Sequence, residues 1–152
     1  MTHSAGVMLY RRSPAFAVLL VHPGGPYWMH KDRGAWQIPK GLIAADEKPA
    51  AAARREAGEE LGVKLEGKLQ PLGDIRQSGG KLVTAFAIEQ DFDPAELHSN
   101  LFEMEWPPKS GKRASFPEVG AARWMTLDEA REMILPSQLP LLDRLIERVG
   151  QG

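Results

Sequence analysis

A chain of 152 residues, 43% hydrophobic and 26% charged, has the composition of one globular domain with a real core, since a chain of ~150 residues buries about 70% of its unfolded surface. A net charge of −1 argues against a general polyanion binder, so phosphate recognition must be local and no DNA partner is expected. The absence of cysteine excludes disulfides, thiol nucleophiles and cysteine metal sites, and is compatible with a reducing cytoplasm.

The first residues lack a signal-peptide pattern, because the apolar run after Thr2 is short and Arg11 and Arg12 follow it rather than precede it. Residues 4–11 and 15–22 read as two β-strands joined through Arg12, Ser13 and Pro14. The second is continuously apolar, as a strand covered on both faces would be. It falls far short of the ~20 residues that span a membrane, so a cytoplasmic protein with no membrane partner is expected. Pro23, Gly24, Gly25 and Pro26 end it and open a loop bearing Tyr27, Trp28, Lys31 and Arg33. Aromatic faces stack on bases and cations hold phosphates, which makes Trp28, Lys31 and Arg33 candidate substrate contacts. His22, with His3 and His98, reads as structural or solvated rather than as a ligand. Residues 36–41 form a short strand turning into the next loop, where Gly41 permits a backbone conformation or close approach that a Cβ would obstruct.

Residues 41–63 carry the densest signal. Glu56, Glu59 and Glu60 stand at i, i+3 and i+4, so on a helix all three carboxylates project from one face. Like charges at that spacing repel by a few tenths of a kcal/mol per pair, so the face needs a cation, and hard oxygen ligands select Mg2+ or Mn2+. Asp46 offers an N-cap, Pro49 a preset first turn, the alanines strong helix propensity, and Gly62 a C-terminal stop. Ala50, Ala57 and Leu61 fall on a neighbouring face that can dock while the adjacent face presents acid.

These residues resemble the Nudix box of the Nudix hydrolase superfamily: a glycine, five residues, a glutamate, seven residues, then Arg-Glu-apolar-any-Glu-Glu-any-Gly-apolar. Gly41, Glu47, Arg55, Glu56, Ala57, Glu59, Glu60, Gly62 and Val63 fill the pattern, with Ala57 small for its apolar place. The resemblance implies that Glu56, Glu59 and Glu60 hold the metals, and that the reaction is substitution at phosphorus in a nucleoside diphosphate linked to a further group. A divalent cation suits that reaction, because it clamps phosphate oxygens and takes up leaving-group charge. Arg55 and Glu47 are assigned to positioning rather than proton transfer. The preceding Trp36, Pro39, Lys40 and Gly41 resemble the entry to the box in the branch that cleaves diadenosine tetraphosphate and its relatives, so Lys40 and Gly41 become candidate substrate contacts.

Residues 68–76 and 82–89 read as a second pair of strands around Ser78, Gly79 and Gly80, the later one central in its sheet. Residues 93–98 suit one helical turn and 101–106 a strand with Glu103 and Glu105 on one face. Residues 106–113 form a basic, aromatic loop in which Lys109 is a candidate substrate contact. A last strand over 121–125 leads into a capping box, Thr126 with Glu129, and a helix to about residue 134. Leu139, Leu142, Leu145, Ile146 and Val149 follow helical spacing to Gly150. The order of elements is that of an α/β fold, an α/β/α sandwich with a mixed sheet, as the resemblance also implies. Glu118 resembles the place where related diadenosine polyphosphate hydrolases put a glutamate on a loop facing the box helix, which makes it a candidate metal ligand or general base, with Glu103 and Glu105 as rivals.

The expectation is a single Nudix domain, 1–152, a monomer or homodimer, using Mg2+ or Mn2+ to hydrolyse a phosphoanhydride in a dinucleoside polyphosphate or nucleoside triphosphate. The alternatives are a nucleotide-sensing module without turnover and an RNA 5′ pyrophosphohydrolase.

Overall fold

The computed structural model describes residues 2–77 and 79–150. Strand β1 (His3–Arg11) is its spine. Ala5, Val7 and Leu9 are fully buried on one face and Met8 and Tyr10 are buried on the other, as in a strand covered on both sides. Strand β2 (Ala17–Pro23) shows the same two-sided burial. β1 runs parallel to β5 (Lys81–Glu89), β5 antiparallel to β4 (Gln70–Gln77), and β2 antiparallel to β8 (Val119–Met125). The resulting order, β4-β5-β1-β2-β8, is a mixed sheet with β5 interior, as expected.

One irregularity of this sheet positions everything that follows. β1 and β2 pair only at Tyr10↔Val18 and Arg11↔Ala17, then splay apart, and residues 36–42 fill the gap. Gln37 exchanges two backbone hydrogen bonds with Val21 (2.8 and 2.9 Å), the Val7 amide donates to the Pro39 carbonyl (3.1 Å), and β3 (Lys40–Leu42) pairs with the first residues of β1. Gly6 makes the insertion possible: a Cβ there would stand 2.7–2.8 Å from Lys40 Cβ, the Pro39 oxygen and Ile38 Cδ1.

Helix α1 (Pro49–Leu61) covers one face through Ala52, Ala53, Ala57 and Leu61, all fully buried against Ala5, Val7, Leu9, Leu19 and Val21. Small side chains on that face let the helix sit close to the sheet, so the small Ala57 is a packing requirement rather than a defect. Helices α2 (Leu127–Met133) and α3 (Pro140–Val149) cover the other face, burying Leu127, Ala130, Leu141, Leu142 and Leu145 against Met8, Tyr10, Val18 and Leu20. This is the expected α/β/α sandwich, and the capping box of Thr126 with Glu129 opens α2 as read. No helix among the described residues is long and apolar enough to cross a membrane.

Several local expectations change. Asp46 does not cap α1: it adopts a positive φ of 64°, and Lys48 occupies the cap position without a side-chain hydrogen bond. Glu47 turns back to the Ala44 amide and to Arg55, so the chain enters the helix extended, and Pro49, lacking an N–H, leaves one donor fewer to satisfy. Arg113, read as the end of a loop, instead opens strand β7 (Arg113–Pro117), which was not singled out and which pairs with β6 (Leu101–Glu105) as a separate two-stranded sheet. Its short run gives little periodicity, and the flanking prolines argue for a loop. The last strand of the main sheet starts earlier, at Val119. Ser78, read as part of the turn with Gly79 and Gly80, lies outside the described residues.

Candidate active site

The loop ahead of α1 and the helix itself are tied together by one guanidinium. Arg55 Nε donates to Glu47 Oε2 (2.9 Å), Nη2 to Glu47 Oε1 (3.0 Å) and to the Leu42 carbonyl (2.8 Å), and Nη1 to Glu56 Oε1 (2.9 Å) and Glu59 Oε1 (3.1 Å). Those five bonds use all five donors of the group. Glu47 Oε1 also accepts from the Ala44 amide (2.9 Å). The hydrogen bonds from Arg55 and Ala44 favour the ionised carboxylate and hold Glu47 down to about 2. Arg55 thereby orients two acids of the helix face, and a lysine, with one ammonium, has no geometry that does the same.

Three acids converge beside it. One carboxylate oxygen from each of Glu56, Glu60 and Glu118 lies within 4.8 Å of the other two. Glu56 is buried under Gly41, where any Cβ would collide with its carboxylate, so Gly41 is required for close approach, as expected. Glu118 reaches the helix from 58 residues away because its backbone is held at both ends: its amide donates to the Asn100 carbonyl (2.8 Å), and its carbonyl accepts from the Gly24 amide (3.0 Å). Asn100 is in turn anchored to the Glu59 carbonyl (2.8 Å). The rivals are engaged elsewhere. Glu105 accepts from the amides of Lys109 and Gly111 in the hairpin turn, and Glu103 faces Arg113 at 3.8 Å.

Burial, then the charge of Glu56, pushes Glu60 up to about 8. Burial, then the charge of Glu59, raises both Glu56 and Glu118. Lys40 stands close to the cluster; burial lowers its pKa, against the opposing pull of Glu60. Three carboxylates crowded this closely, each made a weaker acid by its surroundings, are hard oxygen donors that fit a divalent cation such as Mg2+ or Mn2+. Glu59 stands outside the convergent trio, with its Oε1 on Arg55.

Two cavities open from the cluster. The smaller, about 120 Å³, is lined by Gln37, Ile38, Lys40, Glu60 and Glu118. The larger, about 480 Å³, has Glu60 and Glu118 at one end and the side chains of Pro26, Tyr27, Trp28, Phe102 and Met104 along its walls. Of the cations expected at the substrate, Lys40 lines the smaller cavity, whereas Lys31, Arg33 and Lys109 line neither. Lys31 lies over the Trp28 ring (5.1 Å), Arg33 is exposed, and Lys109 sits in the turn of the β6–β7 hairpin. Phe102 and Met104 were not singled out from the sequence. The signal was present, because a strand that puts Glu103 and Glu105 on one face puts Phe102 and Met104 on the other. Gln138 was also missed: fully buried, its Oε1 accepts from the Ile38 amide (2.9 Å) and so holds the segment that ends in Lys40.

The profile of the NUDIX domain family matches residues 2–145. The chain is 30% identical over 144 aligned residues to an RNA pyrophosphohydrolase of Caulobacter vibrioides, covering 81% of this chain and 77% of that protein. It is 32% identical over 124 residues to an octanoyltransferase of Myxococcus xanthus, covering 81% of this chain but only 30% of the relative's length. Among solved structures, a C. elegans Ap4A hydrolase binary complex matches with a TM-score of 0.69 at 19% identity, over 96% of this chain and 97% of that one. The NUDIX domain of Shewanella oneidensis NrtR complexed with ADP ribose matches with a TM-score of 0.69 at 17% identity, over 98% and 88%. At such identities these two similarities speak to the fold. The family profile across the chain, joined to a complete box whose glycine and arginine do the geometric work described above, shows that the chain belongs to the Nudix family and is a Nudix hydrolase.

Proposed function

We propose that this hydrolase cuts a phosphoanhydride bond of a small nucleoside polyphosphate, either a dinucleoside polyphosphate such as diadenosine tetraphosphate or a nucleoside triphosphate. The observation that carries the reading is the convergence of Glu56, Glu60 and Glu118 beside the half-buried Lys40, at one end of an aromatic-walled cleft. Glu56, Glu60 and Glu118, with Glu59 beside them, would hold Mg2+ or Mn2+. When bound, such a cation neutralises phosphate charge and polarises the anhydride. Lys40 supplies a further positive charge for a phosphate oxygen. Arg55 and Glu47 keep the helix carboxylates in register with the loop. Glu118 faces the helix from the opposite wall, where a carboxylate can hold the attacking water in line with phosphorus and accept its proton. Trp36, Pro39, Lys40 and Gly41 favour the dinucleoside tetraphosphate, to be cut asymmetrically into ATP and AMP.

A second reading, hydrolysis at RNA 5′ ends, is favoured by the Caulobacter relative and disfavoured by the net charge of −1. One assay separates them. The protein with Mg2+ or Mn2+ is presented with nucleoside triphosphates, dinucleoside polyphosphates, sugar nucleotides and triphosphorylated or capped RNA, and products are identified by mass. Symmetric release of two ADP, or RNA turned over well above every small nucleotide, would overturn the assignment, as would full activity in excess EDTA.

A further inference from the structure

We propose that Gln138 is a positioning residue of this hydrolase: it holds residues 36–41 in the one placement that brings the Glu56 and Glu60 carboxylates together as ligands. The inference rests on the hydrolase reading above for the cation that those carboxylates hold.

Residues 36–41 are wedged where β1 and β2 have splayed, so the two strands satisfy only part of their backbone. Gln37 is paired to Val21 on the β2 side, and the Pro39 carbonyl accepts from the Val7 amide on the β1 side. Ile38, between them, is fully buried, so its amide needs a partner within the protein. It finds one in neither strand but in the side chain of Gln138, 100 residues further on, whose Oε1 accepts at 2.9 Å. A side-chain amide thus stands in for the strand that the splay removes.

Gln138 is well placed to hold a fixed position. It ends a single 3₁₀ turn (Pro136–Gln138) and is fully buried, with its Nε2 donating to Gln77 Oε1 (3.2 Å) at the end of β4 and its own amide to the Leu135 carbonyl (2.8 Å). Both polar atoms of the side chain are in use, so rotating it away would leave buried groups unpaired. The chain just before it grips the start of the same segment: the Trp36 amide donates to the Met133 carbonyl (3.0 Å), and the Trp36 carbonyl accepts from the Leu135 amide (2.7 Å).

The far end of the segment meets the acids. Gly41 lies against Glu56 so closely that a Cβ would collide with the carboxylate, and Lys40 meets Glu60 through both its ammonium charge and its backbone amide. Ile38 and Lys40 also line the small cavity beside Glu60 and Glu118. A small shift of the segment is therefore felt at two ligand carboxylates at once. Gln138 itself lines neither cavity, so it acts only through these neighbours.

Three variants and two readouts that need no turnover test this. Gln138→Met fills similar space without either hydrogen bond. Gln138→Glu keeps an oxygen for the Ile38 amide and, charged or protonated, can still bond to Gln77, whose amide can turn either end towards it. Ile146→Val loosens the core on the same side of the sheet and leaves the segment untouched. In calorimetry, Gln138→Met should bind Mn2+ at least ~10-fold more weakly than wild type, as expected for loss of a group that orients metal ligands, and the other two should stay within about threefold. By hydrogen exchange, the Ile38 amide of Gln138→Met should open at least ~10-fold faster relative to the Leu9 and Leu20 amides. Gln138→Asn, one methylene short of Ile38, carries the same expectations should Gln138→Met not fold. Unchanged Mn2+ affinity in a folded variant whose Ile38 amide opens faster would make Gln138 a support of the fold alone and overturn the proposal. An equal loss of affinity in Ile146→Val, or in a Gln138→Glu protein that melts like wild type, would overturn it too. If Mn2+ affinity follows this pattern while no anhydride is cut, the assignment of Gln138 stands and the hydrolase reading falls; anhydride cleavage with Mn2+ affinity indifferent to Gln138 gives the reverse.

Discussion

Neutralising Glu60 should make the metal-free protein more stable while removing its activity. Folding buries this carboxyl beside Glu56 and pushes its pKa up to about 8 from an ordinary 4.5. An acid whose folded pKa is raised binds its proton more tightly in the folded state, so the stability it allows is fully present below about pH 4.5 and is lost as pH rises towards 8. Each pH unit across that window costs ~1.4 kcal/mol, which places the penalty at pH 7 at up to about 3 kcal/mol. Shared titration with Glu56 and Glu118 spreads that cost, so Glu60→Gln should recover about 1–3 kcal/mol, or roughly 3–10 °C in melting temperature for a chain of this size. Glutamine copies the protonated acid, so Lys40 meets the same neutral neighbour that it meets in the metal-free wild type at pH 7. The assay is thermal unfolding followed by circular dichroism in EDTA between pH 5 and 8. The gap between variant and wild type should be small at pH 5 and widen towards pH 8. Mg2+ should then raise the melting temperature of the wild type more than that of the variant, while kcat/KM of the variant falls at least ~10²-fold. A variant that melts below wild type at pH 7 in EDTA, or a gap independent of pH, would refute the reasoning that this cluster is held together at a cost only a cation offsets.

Gly41→Ala should lower kcat by ~10²-fold or more and destabilise by about 1–3 kcal/mol, because its Cβ enters the space of the Glu56 carboxylate; steady-state kinetics and a chemical melt check both. Arg55→Lys should lower kcat by ~10²-fold with KM little changed, since an ammonium cannot span Glu47, Glu56 and Glu59 together; unchanged kcat would remove Arg55 from positioning. In the wild type the Arg55–Glu47 contact should weaken as pH falls from about 4.5 towards 2, because Glu47 is depressed and its contribution is lost on protonation; a carboxylate titration followed by NMR reads this directly. Glu118→Gln should lower kcat by ~10²- to 10⁴-fold while Glu103→Gln and Glu105→Gln turn over normally, and the reverse pattern would move the role to β6.

Much of the site was legible because its parts are local. Gly41, Glu47, Arg55, Glu56, Glu59 and Glu60 lie within twenty residues on one loop and one helix, where the 3.6-residue period alone says which carboxylates share a face. The Thr126 box and the two-sided apolar strands are equally local, and together they carried the α/β/α architecture. What periodicity does not contain is distance through space. That Glu118, rather than Glu103 or Glu105, meets Glu56 and Glu60 depends on backbone hydrogen bonds to Gly24 and Asn100, two segments remote in sequence. Which cations line the cavities beside the cluster is decided the same way: Lys31, Arg33 and Lys109 sit on loops that line neither cavity, while Lys40 lines the smaller one because β1 and β2 splay and Gly6 makes room for its strand. Short-range spacing thus determined the chemistry of this protein. The long-range packing of two loops and a hairpin decided where that chemistry points and what stands beside it.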